Sequence, residues 1–416
     1  MLDRIPRQRG KRMTRLVQRL RPAEWAVLLA LGTTGSWSVA AENDVKPALD
    51  ALKSVGREGA NNENAAPAWK ALVGAGGEAL MPALAAIDDA DPRSANWLRA
   101  AVSAIAEAEA KAGRPLPADK LEAFAKDAKN APSARRVAFD LLAKQDPAAK
   151  GRLLPGFLHD RSPDLRREAI AAELARLAKA DPAAAKAGLL KLFEASRDED
   201  QVDAIAKKLE EDHKSPVGVT EHYAFVTRWH VVGPFPNEEG KALTLSHPPE
   251  TLTEPKGTFK GKGDAEVAWK PQGTTDKMGV VDLTRAIGVH KNAAAYALAV
   301  VTAEKETPAE FRVTTQNAVQ IFLNGKKVFE REEYHHGEQL DYNTGRGVLK
   351  PGPNVVVVKI CQNDQKEPWA QKWRFAARVC DPTGGRLPGL AQLDADGRPL
   401  PLGHNPNPTV RKEDDQ

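Results

Sequence analysis

Cysteine is nearly absent from this chain, with two in 416 residues. That excludes a disulfide framework, and no CxxC or CxxCH occurs to hold structural zinc or covalent haem. Long hydrophobic runs are also missing. The longest N-terminal apolar stretch, Trp25 to Leu31, falls well short of the roughly 20 residues a bilayer span needs. No GxSxG, P-loop or dinucleotide fingerprint is present, so no cofactor is expected and no catalytic activity can be read off a motif. The one Gly-rich stretch, Val73-Gly74-Ala75-Gly76-Gly77, has helical patterns on both sides and no preceding strand, which makes it a loop. A single-sign charge excess is missing too. There are 60 Lys and Arg against 56 Asp and Glu, a net +4. Residues 1–41 alone carry +6, leaving the other 375 residues at −2, which argues against a nucleic-acid partner.

What is present is a globular composition, 42% hydrophobic and 28% charged, on a chain long enough for two domains. Its first segment reads as an address. A basic lead is followed by the short apolar run and by Ser38-Val39-Ala40-Ala41, a small-x-small cut site, the parts of a secretory signal over 1–41. Initiation at Met13 gives a signal of more ordinary length. The expectation is a periplasmic or secreted protein without a stable membrane span after cleavage; an uncleaved signal anchor in the inner membrane is the alternative.

Residues 43–214 are Ala- and Leu-rich, with helix-period stripes broken by Pro and Asp-Pro. Val202, Ile205, Ala206 and Leu209 follow i, i+3, i+4, i+7, and Ile170, Leu174 and Leu177 repeat the stripe. Pro132 is followed by Arg135, Arg136 and Ala138; Pro163 is followed by Arg166, Arg167 and Ala169 at the same offsets. Near Ser215-Pro216-Val217-Gly218 the period changes to alternation. Strands are expected around Phe225–Val231, Val267–Trp269, Tyr296–Val300, Phe311–Thr315, Val319–Leu323 and Trp373–Val379. Val355–Ile360, apolar at almost every position, reads as a central strand buried on both faces. Asn324-Gly325 predicts a type I′ hairpin turn, because both residues must take positive φ. The fold class is therefore multidomain: an α-helical repeat array followed by an antiparallel β-sandwich of jelly-roll type.

Two resemblances rest on these residues. The Pro-and-Arg pattern, with the Asp160-Arg161-Ser162-Pro163 turn and its best match over Leu154 to Leu177, resembles the HEAT repeat. Such repeats stack helix pairs into interaction surfaces, and the resemblance implies that Arg166 and Arg167 serve intra-repeat ion pairing and packing. The ordered series Trp229-His230-Val231-Val232-Gly233-Pro234-Phe235, Val267-Ala268-Trp269, Val281-Asp282-Leu283, Ala295-Tyr296-Ala297, Ile321-Phe322-Leu323-Asn324-Gly325 and Leu349-Lys350-Pro351-Gly352-Pro353-Asn354 resembles the galactose-binding-like β-sandwich modules of secreted bacterial proteins. Over 222–390 this implies a non-catalytic jelly roll that binds glycan or supports a neighbouring domain. Thr315-Gln316-Asn317-Ala318 stands where related modules often carry an Asp-Asp or Asp-Gly pair, which argues against calcium-assisted sugar binding there.

Sugar recognition needs an exposed aromatic platform with polar groups nearby. Trp229 and Trp373 alternate with inward residues and read as core. Trp369, after Glu367-Pro368, and Trp269, beside Lys270-Pro271, are the candidates for exposure. The densest polar-aromatic patch is 334–342, so the candidate ligand contacts are Trp369, Tyr334, Tyr342, Asp341 and His335. His335 and His336, adjacent on an extended segment, point to opposite sides with no third ligand in step, so no metal is expected. Cys361 and Cys380 are expected unbridged: in one antiparallel hairpin of Val355–Cys361 with Gln371–Cys380 they would stand roughly 20 Å apart, against the roughly 4.4–6.8 Å a bridge needs. Residues 391–416, Pro-, Gly- and charge-rich, are expected to form a disordered tail. The function expected is an exported, non-enzymatic binding protein with a glycan or an extracytoplasmic protein as partner. A scaffold acting through the helices is the alternative, and a hydrolase with an unrecognised site a further one.

Overall fold

The structure, a computed structural model, describes residues 39–88 and 90–405. Residues 1–38, which hold nearly all of the expected signal, and the last part of the expected tail, 406–416, lie outside the described residues.

The N-terminal half is a stack of helix pairs: α1 Val39–Lys53 with α2 Asn62–Gly74, α3 Leu80–Ala86 with α4 Pro92–Lys111, and α5 Ala118–Lys126 with α6 Pro132–Gln145. Two further pairs complete it, α7 Ala148–Leu153 with α8 Pro163–Leu177 and α9 Pro182–Ala195 with α10 Glu199–Glu211. Proline opens α4, α6, α8 and α9 in the first turn, where its missing donor has no helical acceptor to lose. Asp91, Ser162 and Asp181 cap α4, α8 and α9 by accepting from first-turn backbone N–H groups. No single pair can bury its apolar stripe, so the stripes merge into a continuous core from Val45 to Ala169. Among the described residues, no helix is long and apolar enough to cross a membrane.

A short helix, α11 (Val219–Tyr223), leads into the sandwich. Its strands are β1 Arg228–Pro236, β2 Thr258–Lys260, β3 Glu266–Ala268, β4 Lys270–Gly273, β5 Val281–Asp282, β6 Ala293–Ala303 and β7 Thr307–Thr314. They continue with β8 Ala318–Leu323, β9 Lys326–Arg331, β10 Asn343–Leu349, β11 Gly352–Gln362, β12 Arg374–Cys380, β13 Leu390–Leu393 and β14 Pro399–Pro401; helix α12 (Leu283–Ile287) follows β5. Sheet one runs β14-β13-β6-β11-β8-β9, with β1 also on β6 and β4 on β1; sheet two runs β10-β7-β12-β5. The strands within each sheet pair antiparallel. Between the sheets, Val356, Val358 and Ile360 of β11 meet Phe311, Val313, Phe375, Ala377 and Val379. Trp229 and Trp373 are buried there, as their alternation predicts. Asn324 and Gly325 both have positive φ, 51° and 78°, in the turn joining β8 to β9.

Two expectations need correction. Residues 391–405 of the expected tail belong to the fold: β13 pairs with β6 and β14 with β13, Gln392 is buried against Thr227, and Leu402 joins the core. Polar composition concealed this because the edge of β6 shared with β1 is left open past residue 298, and a strand with few apolar residues can still pair with it at 301–303. Gly403, at φ 75°, lies so close to the chain that a Cβ would stand 2.3 Å from the Thr220 carbonyl oxygen. The second correction concerns the cysteines. β11 and β12 lie in different sheets, with Cys361 facing outward from sheet one and Cys380 from sheet two, so the hairpin arrangement does not exist. Both thiols are free and buried.

Candidate functional site

The sandwich has two outer faces, and both are covered. On sheet one, Tyr296 and Leu298 of β6 and Val355, Val357 and Cys361 of β11 pack under Phe235, Ala242, Leu243 and Val267, which belong to β1 and to the excursion 237–270. Lys359, also outward on β11 and fully buried, donates to Glu250 Oε1 at 2.8 Å and to the Leu245 carbonyl at 2.9 Å. Tyr296 donates its hydroxyl to the same carboxylate oxygen at 2.8 Å. A buried ammonium without such partners would cost several kcal/mol, so this trio fixes where the excursion lies. Burial pushes Glu250 up, but hydrogen bonds from Lys359 and Tyr296 outweigh it and leave the carboxyl below its ordinary range.

Sheet two is covered by the helices. Ala376, Met278, Tyr223 and Phe225 share one apolar cluster with Leu189, Leu192, Phe193, Val202, Ile205 and Leu209 of α9 and α10. Lys277 reaches Asp203 at 2.7 Å and Thr220 donates to the Lys277 carbonyl at 2.9 Å. Beside this contact lies a cleft of about 740 Å³, lined from the helical side by Arg161, Arg166, Arg167, Arg197, Asp198, Glu199 and Asp200 and from the sandwich by Arg312, Glu338, Asp341 and Arg378.

Most of these charges have partners. Arg378, nearly fully buried on β12, donates Nε to Asp341 Oδ1 at 2.7 Å, Nη2 to Oδ2, and Nη1 to the Gly384 carbonyl at 2.9 Å. Its guanidinium also lies over the Tyr223 ring, 5.1 Å from the centroid. Arg312 bridges Asp341 and Glu310. For Asp341 burial raises the pKa, yet Arg378 and Arg312 hold the carboxyl below its usual value. Arg374 grips Glu338 with two bonds of 2.9 and 2.6 Å. Arg167 grips Asp200 at 2.7 and 2.5 Å, which lowers that carboxyl too. Since Arg167 lies on α8 and Asp200 on α10, this pairing joins successive repeats, whereas an intra-repeat role was expected. A glycosidase acid needs one carboxyl raised so that it keeps its proton near neutrality; Asp341 and Asp200 are shifted the other way.

The expected sugar contacts divide into two groups. Trp369 is exposed, at 56%, and sits edge-on to His335 with ring centroids 5.3 Å apart. Tyr334 adjoins His335 at 6.2 Å and accepts from Asn237 Nδ2 at 3.1 Å. His335 Nε2 meets Asn363 Oδ1 at 2.7 Å, while its Nδ1 has no partner. Thus Trp369, His335 and Tyr334 are neighbours at the loop end of the sandwich. Asp341 is not among them, because both its oxygens are bound by arginines facing the helices. Tyr342 packs against His336 at 4.5 Å and lies under Arg331, 4.1 Å from its ring centre, leaving little free face. Trp269 is half-buried within the excursion. Among the described residues, no group of three or more His, Cys, Asp or Glu side chains is placed to hold a metal ion.

The cleft has no contiguous signature in the sequence. Its residues come from α8, α10, β7, β12 and the 338–341 loop, and only the outward phase of Arg312, Arg374 and Arg378 on their strands hinted that sheet two carries charge under a cover.

No family model matches this chain, and no curated protein matches it. Among solved structures it is similar to an anti-sigma factor domain-containing protein from Clostridium clariflavum, at 10% identity and a TM-score of 0.21. The likeness covers 45% of this chain and 48% of that one, so the chain spans about half the length of that structure.

Proposed function

We propose that this chain is an exported, non-catalytic binding scaffold, a HEAT-like array carrying a galactose-binding-like sandwich, and that the sandwich binds glycan at its loop end. The observation that carries the reading is the exposed indole of Trp369, set against His335 and Tyr334 while both sheet faces are covered. A sugar ring presents an apolar face of C–H groups that stacks on indole, and its hydroxyls need polar neighbours. Asp364 and Gln365 lie in the same loop as Trp369, and Asn363, bonded to His335 and Gln365, ties that loop to the 334–336 segment. The arginine-paired carboxylates of the cleft support the non-catalytic half of the reading. The test is a glycan array probed with the wild-type protein and with Trp369→Ala. Glycans that bind the wild type and lose at least tenfold in affinity with the variant support the proposal; no bound glycan, or equal binding by both proteins, refutes it.

Protein binding through the helices is the second reading. A groove of about 430 Å³ in the first repeats, lined by Val55, Asn62, Arg93, Asn96 and Trp97, favours it. Pull-downs with the whole chain and with Trp97→Ala separate this reading from the first.

A further inference from the structure

The two helix pairs with equal Pro-Arg offsets do not end alike. In the first, Arg135 is 1% exposed and fully satisfied: Nε donates to the Ala125 carbonyl at 2.8 Å, and Nη1 and Nη2 grip Asp160 at 2.8 and 2.6 Å. Asp160 stands two residues before Ser162, the N-cap of α8. Arg166 occupies the equivalent place one repeat later and is just as buried, at 5% exposed. Two residues before Asp198, the N-cap of α10, stands Ser196, and its hydroxyl is spent on the Phe193 carbonyl. Arg166 therefore has one hydrogen bond, Nη1 to the Asp160 carbonyl, and its Nε has none.

A second guanidinium in the cleft is in the same position. Arg197 donates Nη1 to the Glu194 and Ser196 carbonyls, and its Nε has no partner. Neither arginine makes an ion pair with a carboxylate among the described residues. Asp381 attracts both, and Asp198 and Asp160 also attract Arg166, but Asp381 Oδ1 already accepts from Thr383 and Gly385. Burial pushes both arginines below their ordinary pKa, and the charge of Arg166 pushes Arg197 down further. The N-terminal turns of α8 and α10 also border the cleft, adding the positive ends of two helix dipoles.

We propose that this cleft binds a small ligand through an acidic group, a carboxylate or a phosphate, held by Arg166 and Arg197. The planar guanidinium suits either oxyanion in a two-point grip. A volume of about 740 Å³ accommodates a ligand of sugar or nucleotide size rather than a bare ion. This site is separate from the Trp369 platform and does not depend on it.

Inorganic phosphate and succinate serve as probes in calorimetric titrations of the full chain at constant ionic strength. Saturable binding of one of them is expected, and which one binds distinguishes phosphate from carboxylate chemistry. Arg197→Gln should weaken it at least tenfold, Arg197→Lys should restore part of the loss, and Trp369→Ala should leave it unchanged. In the wild-type protein, the bound anion should also protect Arg197 from phenylglyoxal labelling while exposed Arg398 continues to react. Failure of both anions to bind, unaltered binding by Arg197→Gln, or equal labelling of Arg197 with and without anion overturns the proposal.

Discussion

The two outer faces of the sandwich are covered in different ways. Sheet one is covered by its own chain, the 237–270 excursion, which leaves Lys359 no route to water and gives it Glu250 and the Leu245 carbonyl instead. Sheet two is covered by α9 to α11, and next to that apolar contact a charged cleft remains. An excursion connected at both ends can follow a sheet closely. Two independently built units meet only where their apolar patches agree, and elsewhere they leave space lined by polar groups. The first cover is structural; the second leaves room for a ligand.

The largest effect that tests this difference is expected at Lys359. Lys359→Met leaves the Glu250 carboxylate buried without its cation, and urea unfolding should show a loss of about 3–5 kcal/mol. Adding Glu250→Gln should recover most of it, since a hydrogen bond from Tyr296 survives. Arg378→Met on the other face should cost less, because Arg312 still holds Asp341. Equal losses at the two sites would contradict the contrast between a sealed and a partly open face.

Gly403→Ala should destabilise by about 1–3 kcal/mol, as expected for strain at positive φ, with the Thr220 carbonyl in the way. That loss, read by thermal or urea unfolding, would confirm that residues 402–405 help clamp α11; an unchanged stability would show that they do not. A smaller effect is expected from pH. His222, in the helix–sandwich contact, is pushed down to about 4 by burial first and by the charge of Arg197 next. The unfolded ring takes up its proton near about pH 6.5 and the folded ring only near 4. Stability contributed by neutral His222 is therefore complete above about pH 6.5 and is lost as pH falls toward 4. Urea unfolding between those limits should show this slope in the wild type and a shallower one in His222→Gln. The smallest stability effect is Trp369→Ala, within about 0.5 kcal/mol, because the indole rests on the surface.

Architecture was legible in the sequence where burial follows a period. The Pro132 and Pro163 copies became α6 and α8, the Val355–Ile360 run became the doubly buried β11, and Asn324-Gly325 formed the predicted turn. Sites were less legible because they depend on side chains distant in sequence. Trp369 and His335 were both named as candidates, and their contact closes across 34 residues. Asp341 looked like a sugar ligand in a polar loop, but it serves two arginines on strands that precede and follow it. The ordered tail escaped notice because Gln392 and Gly403 earn their places by fitting a particular edge and a particular carbonyl, neither of which composition reveals.

The central claim is that the sandwich meets its ligand at Trp369. The most direct measurement is a ¹⁹F NMR titration of 5-fluorotryptophan-labelled protein with a glycan that binds it, the Trp369 resonance being assigned from Trp369→Phe. The account predicts that this resonance shifts saturably while those of buried Trp229 and Trp373 stay fixed. A silent Trp369 during saturable binding would contradict it.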